Sequence, residues 1–149
     1  MPLGNLLIVD DEPLLLRTLE SSLEDCADRI FVAEDGQAAL DLLARETIHC
    51  IICDINMPRM NGVELIKRLR ATESEIPFIF YTGHGNHQLM EEAAMYGAFD
   101  FLHKPNLEGL EEVVTRGLAV GSGGPEPERE PDADLNEYQR MLREIEDGR

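Results

Sequence analysis

Five short apolar runs, each followed by a segment with helical spacing, constrain this chain more than any other feature. Leu6-Leu7-Ile8-Val9 is the first run, and after Pro13 the set Leu15, Leu16, Leu19 and Leu23 falls on one helical face. Ile30 to Ala33 is the second, and Gly36 leads into a helix carrying Ala39, Leu40 and Leu43. Ile48 to Cys53 is the third; Pro58 and Gly62 then break the chain before Val63, Leu65, Ile66 and Leu69. Ile76 to Tyr81 is the fourth, with Pro77 near its start where a strand tolerates proline. Leu89, Met90, Ala93 and Ala94 mark the next helix, which Gly97 is placed to end. Phe99 to Leu102 is the fifth run, after which Asn106 caps a helix with Leu110, Val113, Val114 and Leu118.

Strands apolar on both faces and separated by helices require a parallel sheet covered on both sides. Right-handed crossovers leave few ways to arrange it. The expectation is a doubly wound five-stranded α/β domain with five helices, spanning residues 1–120. Residues 121–149 read as a separate acidic tail. Gly121-Ser122-Gly123-Gly124-Pro125 is a linker by composition, and prolines and acids follow it. Within the tail, Leu135, Tyr138, Met141, Leu142 and Ile145 recur at helical spacing, which allows a short amphipathic helix or a solvated strand of chain.

Charge narrows the partners. The net charge is −17; residues 1–120 carry 9 Lys and Arg against 21 Asp and Glu, a balance of −12, and the tail carries 4 against 9, a balance of −5. Both parts repel a phosphate backbone, so direct nucleic-acid binding is not expected. No apolar run approaches the roughly 20 residues of a bilayer span, and the first residues carry no basic leader, so the expected location is cytoplasmic without membrane insertion. Cys26, Cys50 and Cys53 form an odd, sparse set that fits a reducing compartment better than a disulfide framework. Cys50 and Cys53 have the spacing of half a zinc site, yet positions three apart in a strand face opposite sides. Buried, inert thiols are expected.

In an open parallel sheet, ligands bind beyond the carboxyl ends of the strands. Asp10, Asp11 and Glu12 follow the first strand, Asp54 ends the third with Asn56 just beyond, Thr82 ends the fourth and Lys104 ends the fifth. Parallel pairing brings these residues to one edge. Three adjacent carboxylates repel one another and call for a cation. An all-oxygen donor set without imidazole or thiolate suits a hard ion such as Mg²⁺, with Mn²⁺ as an alternative. Lys104 adds a positive charge for anionic oxygens. A carboxylate can be the nucleophile in phosphoryl transfer, and Asp54 stands alone at its strand end. Asp10 and Asp11 are placed to hold the metal, Asn56 to add its backbone carbonyl, and Thr82 and Lys104 to contact phosphoryl oxygens.

Val9-Asp10-Asp11-Glu12, Cys53-Asp54-Ile55-Asn56-Met57-Pro58 with Asn61-Gly62, Tyr81-Thr82-Gly83, and Phe101-Leu102-His103-Lys104-Pro105 together resemble the receiver domain of bacterial response regulators. The resemblance runs from about Leu6 to about Ala119. It implies a flavodoxin-like sheet of order 2-1-3-4-5 and a two-component phosphorelay in which Asp54 is the phosphoacceptor. The donor would be a histidine kinase or a histidine phosphotransfer protein, docking at the first helix. Mg²⁺ would be held by Asp11, Asp54 and the Asn56 carbonyl, with Asp10 acting through water. Thr82 and Phe101 would be the switch pair, and the surface of the last two helices and the fifth strand would change its affinity for an unknown downstream protein. That surface, or the tail, is also a candidate for homodimerisation. Asn56 and His84 occupy positions that modulate hydrolysis of the phosphorylated form.

Taken singly, each residue has a plainer reading: solvated loop acid, helix cap, surface lysine, core aromatic, exposed loop histidine. Their meaning comes from the set. Two other readings compete. A magnesium-dependent aspartyl-phosphate phosphohydrolase would place its nucleophile after the first strand as Asp-x-Asp, which this order does not match. A receiver fragment of a larger regulator or hybrid kinase fits the absence of any recognisable output module. The expected molecule is a switch that assists its own phosphorylation and dephosphorylation, not an enzyme acting on other molecules.

Overall fold

The structure is a computed structural model that describes residues 3–83 and 87–125. The expected helix at Leu135 to Ile145 and the loop position His84 lie outside the described residues. The chain runs β1 (Asn5–Val9), α1 (Pro13–Ser22), a 3₁₀ turn (Glu24–Cys26), β2 (Arg29–Ala33), α2 (Gly36–Arg45) and β3 (Cys50–Cys53). It continues through α3 (Gly62–Ala71), β4 (Phe78–Thr82), α4 (His87–Met95), β5 (Asp100–His103) and α5 (Leu107–Gly121). All four strand pairings are parallel, and the sheet order is β2-β1-β3-β4-β5. Among the described residues no helix is long and apolar enough to cross a membrane.

The sheet separates two cores, as strands apolar on both faces require. Leu7, Val9, Ile51, Cys53, Phe78, Phe80 and Phe101 pack on the side of α2, α3 and α4. Leu6, Ile8, Cys50, Ile52, Ile79 and Leu102 pack on the side of α1 and α5. Cys50 and Cys53 therefore do face opposite sides of the sheet, and all three cysteines are free thiols.

Helix ends follow local chemistry. Asn61 accepts the Glu64 N–H while Glu64 reaches back to the Asn61 N–H, a reciprocal cap that starts α3. Asp35 accepts the Ala38 N–H at the start of α2 and Asn106 the Gly109 N–H at the start of α5, each a one-way cap. Gly97 adopts φ +75°, the left-handed conformation that lets the Ala98 N–H return to the Ala93 carbonyl at 3.2 Å and close α4.

All five strands differ from expectation by one or two residues; β1 and β2 each begin one residue early, at Asn5 and Arg29. β3 begins at Cys50, not Ile48, because the His49 ring takes part in the pairing: its Nδ1 accepts the Asn5 N–H at 2.8 Å. β4 begins at Phe78, not Ile76, since Pro77 has no N–H and Arg70 claims the Ile76 carbonyl at 2.9 Å. β5 is displaced by one residue and includes His103. Gly121, expected as the first linker residue, is instead the last residue of α5.

Candidate functional site

The parallel register brings the carboxyl ends of β1, β3, β4 and β5 to one edge. The Asp54 N–H bonds to the Val9 carbonyl at 3.1 Å, and the Lys104 N–H bonds to the Thr82 carbonyl at 2.9 Å, so adjacent strands hold these residues side by side. Asp10, Asp11 and Asp54 each offer a carboxylate oxygen within 4.8 Å of the others. An open cleft of about 420 Å³ is lined by Asp11, Glu12, Asp54, Asn56, Thr82, Gly83 and Lys104.

Lys104 joins the group. Its Nζ donates to Asp10 Oδ2 at 2.8 Å and to Asp54 Oδ2 at 3.2 Å, and it lies 3.9 Å from Glu12 Oε1. The second oxygen of each buried acid accepts a backbone N–H: Asp10 Oδ1 from Glu12 at 3.0 Å, Asp54 Oδ1 from Asn56 at 3.3 Å. Asp10 and Asp54 are 2% and 6% exposed, whereas Asp11 is exposed. Burial drives the Asp10 carboxyl above its ordinary range, against the Lys104 hydrogen bond and the Glu12 N–H, which favour the charged form. Burial also acts to lower Lys104, but the hydrogen bonds and fields of Asp10 and Asp54 outweigh it and hold the ammonium above its usual value. Lys104 is therefore a fixed positive charge at neutral pH.

Thr82 is fully buried, and its hydroxyl has no hydrogen-bond partner among the described residues. A hydroxyl has both a donor and an acceptor to offer, and a buried one without a protein partner lining a cleft calls for an explanation. The donor set suits a hard divalent cation: all oxygen, three carboxylates within reach of one centre, one of them solvent-facing. Both oxygens of Asp10 and both of Asp54 accept hydrogen bonds, at 3.0 and 2.8 Å for Asp10 and at the longer 3.3 and 3.2 Å for Asp54. The exposed Asp11 is therefore the carboxylate best placed to meet an ion directly, and Asp54 is the less tightly held of the buried two.

Thus Asp10, Asp11, Asp54, Asn56, Thr82 and Lys104 come together. Phe101 does not enter the cleft. It is 1% exposed in the core, its ring 5.7 Å from that of Phe80 and 6.3 Å from that of His103. Glu12 and Gly83 also line the cleft; the sequence placed them beside the site without showing which side they face. The Lys104–Pro105 peptide is cis.

A family model described as the response regulator receiver domain matches residues 6–115. Transcriptional regulatory protein FixJ of Bradyrhizobium diazoefficiens is 36% identical over 102 residues, which are 68% of this chain and 50% of that protein. Regulatory protein AtoC of Escherichia coli is 33% identical over 121 residues, 80% of this chain and 26% of that protein. This chain thus spans half or less of the length of these relatives. The signal receiver domain of a LuxO repressor protein from Vibrio parahaemolyticus superposes with a TM-score of 0.74 at 28% identity, covering 80% of this chain and 92% of that one. The architecture, the strand-end residues and the match over residues 6–115 agree: the chain belongs to the response regulator receiver domain family.

Proposed function

We propose that this protein is a phosphoryl-accepting switch whose acceptor is Asp54, and that it takes the phosphoryl group from the phosphohistidine of a histidine kinase or histidine phosphotransfer protein. One observation carries the reading. The Asp54 carboxylate opens into a cleft that already holds an ammonium at 3.2 Å and a buried hydroxyl without a partner among the described residues. In the transfer, an Asp54 oxygen bonds to phosphorus as the N–P bond breaks, and the departing imidazole nitrogen keeps the electron pair and takes a proton. Asp11, Asp54 and the Asn56 carbonyl would hold Mg²⁺, with Asp10 acting through water, and the ion when bound would supply charge neutralisation for the phosphoryl oxygens. Lys104 pairs with one of those oxygens and Thr82 donates to another. Thr82 and Phe101 act as the switch pair. Asn56 and His84 tune hydrolysis.

The chain's own role is that of a signalling device and not of a turnover catalyst. Residues 1–120 form the switch and residues 121–149 an acidic tail; a phosphohistidine donor and free thiols fit the cytoplasm. The output is the face made by α4, β5 and α5, meeting a downstream protein or a second copy. The alternative reading is a receiver fragment of a larger regulator or hybrid kinase; in FixJ and AtoC the matched segment makes up 50% and 26% of the protein. The test is intact mass after treatment with a small phosphodonor and Mg²⁺. A single phosphoryl addition on the parent and none on Asp54→Asn supports the reading; sustained hydrolysis of phosphate esters would favour the phosphohydrolase instead.

A further inference from the structure

The turn that follows β3 rests directly on the first residue of α3. The Gly62 N–H donates to the Ile55 carbonyl at 2.8 Å. A Cβ built at position 62 would overlap the Asp54 carbonyl oxygen, and would lie 3.1 Å from Ile55 Cα and 2.9 Å from Phe80 Cε1. Gly62 is not among the glycines with positive φ, so its backbone does not demand glycine. Alanine is the better helix former at such a position. The demand comes from contact alone, and its target is the backbone of the acceptor residue.

From this packing we infer that Gly62 is a positioning residue for the Asp54–Asn56 backbone, and that Mg²⁺ affinity depends on the absence of a side chain there. The inference rests on the reading of Asp54 and Asn56 as metal-facing groups. The first turn of α3 has little freedom to withdraw: the Asn61 and Glu64 cap holds it, and Val63, Leu65 and Ile66 are buried beneath it. Phe80 has little freedom to withdraw either, with its ring centroid 4.9 Å from that of Phe78 and 5.7 Å from that of Phe101. Along the turn Asn56, Pro58 and Arg59 are exposed, whereas Asp54, Ile55 and Met57 are buried, so the exposed side is the one toward which the backbone can give. The atom nearest that methyl group is the Asp54 carbonyl oxygen, so a methyl at position 62 displaces the Asp54–Asn56 backbone, and both Asp54 and Asn56 line the cleft.

The experiment is a calorimetric Mg²⁺ titration of the full chain, with parent and Gly62→Ala compared, together with the backbone amide resonances of both without metal. Gly62→Ala should fold, shift the Asn56 amide before any metal is added, and bind Mg²⁺ roughly 10-fold more weakly or worse, the loss typical when a group supporting metal ligands is disturbed. A merely structural role would lower the unfolding midpoint and leave affinity alone. A folded Gly62→Ala with parental affinity overturns the inference while leaving the proposed function standing. A parent that binds no Mg²⁺ defeats the proposed function and this inference with it. Recovery of affinity in Gly62→Ala/Phe80→Leu would assign the obstacle to the ring and overturn the role given to the Asp54 backbone. If Gly62→Ala does not fold, the same readouts are taken on Gly62→Ala/Asn61→Ala, in which the released cap lets the α3 turn take up part of the methyl group. Compared with Asn61→Ala alone, it must shift the Asn56 amide and weaken Mg²⁺ binding, and no difference between the two overturns the inference.

Discussion

Lys104 Nζ lies 2.8 Å from Asp10 and 3.2 Å from Asp54, so two carboxylates that are almost wholly shielded from water share one ammonium, which offsets only one of their two charges. Removing the ammonium leaves both acids buried with no cation between them. Breaking a buried charge pair in this way costs about 3 kcal/mol. Lys104→Met should therefore lower the urea midpoint markedly without divalent ions, and saturating Mg²⁺ should restore a large part of the loss by replacing the missing charge. A midpoint insensitive to the substitution would show that the two acids are solvated or protonated in the folded protein.

Asp10 gives a dependence on pH. Its folded-state pKa is raised by burial above the unfolded value, so the folded protein holds that proton more tightly than the unfolded chain. The ionised carboxylate therefore opposes folding above the folded pKa, and the contribution vanishes as pH falls below the unfolded value. Asp10→Asn, which removes the charge and keeps the shape, should raise the urea midpoint at pH 7 in the absence of Mg²⁺. The difference from the parent should close as the pH is lowered through the folded pKa. An Asp10→Asn midpoint below the parent's at pH 7 would mean that pairing with Lys104 outweighs burial.

Thr82 separates stability from signalling. Its hydroxyl is buried without a partner among the described residues, and an unmet hydroxyl of this kind costs about 1 kcal/mol or more. Thr82→Val keeps the shape and removes the unmet group. The unphosphorylated form should be at least as stable as the parent by urea unfolding, whereas the phosphorylated protein should no longer report a change at α4 and β5 in its amide spectrum. Loss of stability in Thr82→Val would indicate that the hydroxyl has a partner in solution.

How far the sequence carried the reading can be judged from particular residues. The strand-end residues Asp10, Asp54, Thr82 and Lys104 were legible because parallel pairing converts positions at the ends of runs into neighbours, whatever lies between. The two-sided core was legible from runs such as Leu6 to Val9, which are apolar at every position. Contacts between segments distant in sequence were not. The Arg70 bonds to the Ser74, Ile76 and Tyr96 carbonyls, which delay β4 and tie α3 to the end of α4, have no local signature. Nor does the direction of Phe101. The resemblance made it the switch partner of Thr82 without saying where the ring lies; in this structure it is buried against Phe80, so a switching motion would start from a buried position. The demand for glycine at position 62 was hidden for the same reason: it arises from the backbone of Asp54 lying against the start of α3.

The thiols offer a test of the two-sided sheet that is independent of the site. Cys50 and Cys53 are 0% exposed on opposite faces. Burial pushes the Cys50 thiol up to about 12, and burial, followed by the fields of Asp54 and Asp10, pushes Cys53 well above the ordinary range. The thiolate is the reactive species, so both should resist alkylation in the folded protein. Cys26 is only half-buried, and its thiol is raised by burial and then by Glu111, so it should react slowly but measurably. Iodoacetamide at pH 8 followed by intact mass should show one slow adduct on the native chain and three rapid ones in urea. Rapid modification at Cys53 in the native protein would mean that the floor of the acidic cleft opens to solvent, and would place the Asp54 backbone on a far looser support than the packing of β3 against α3 describes.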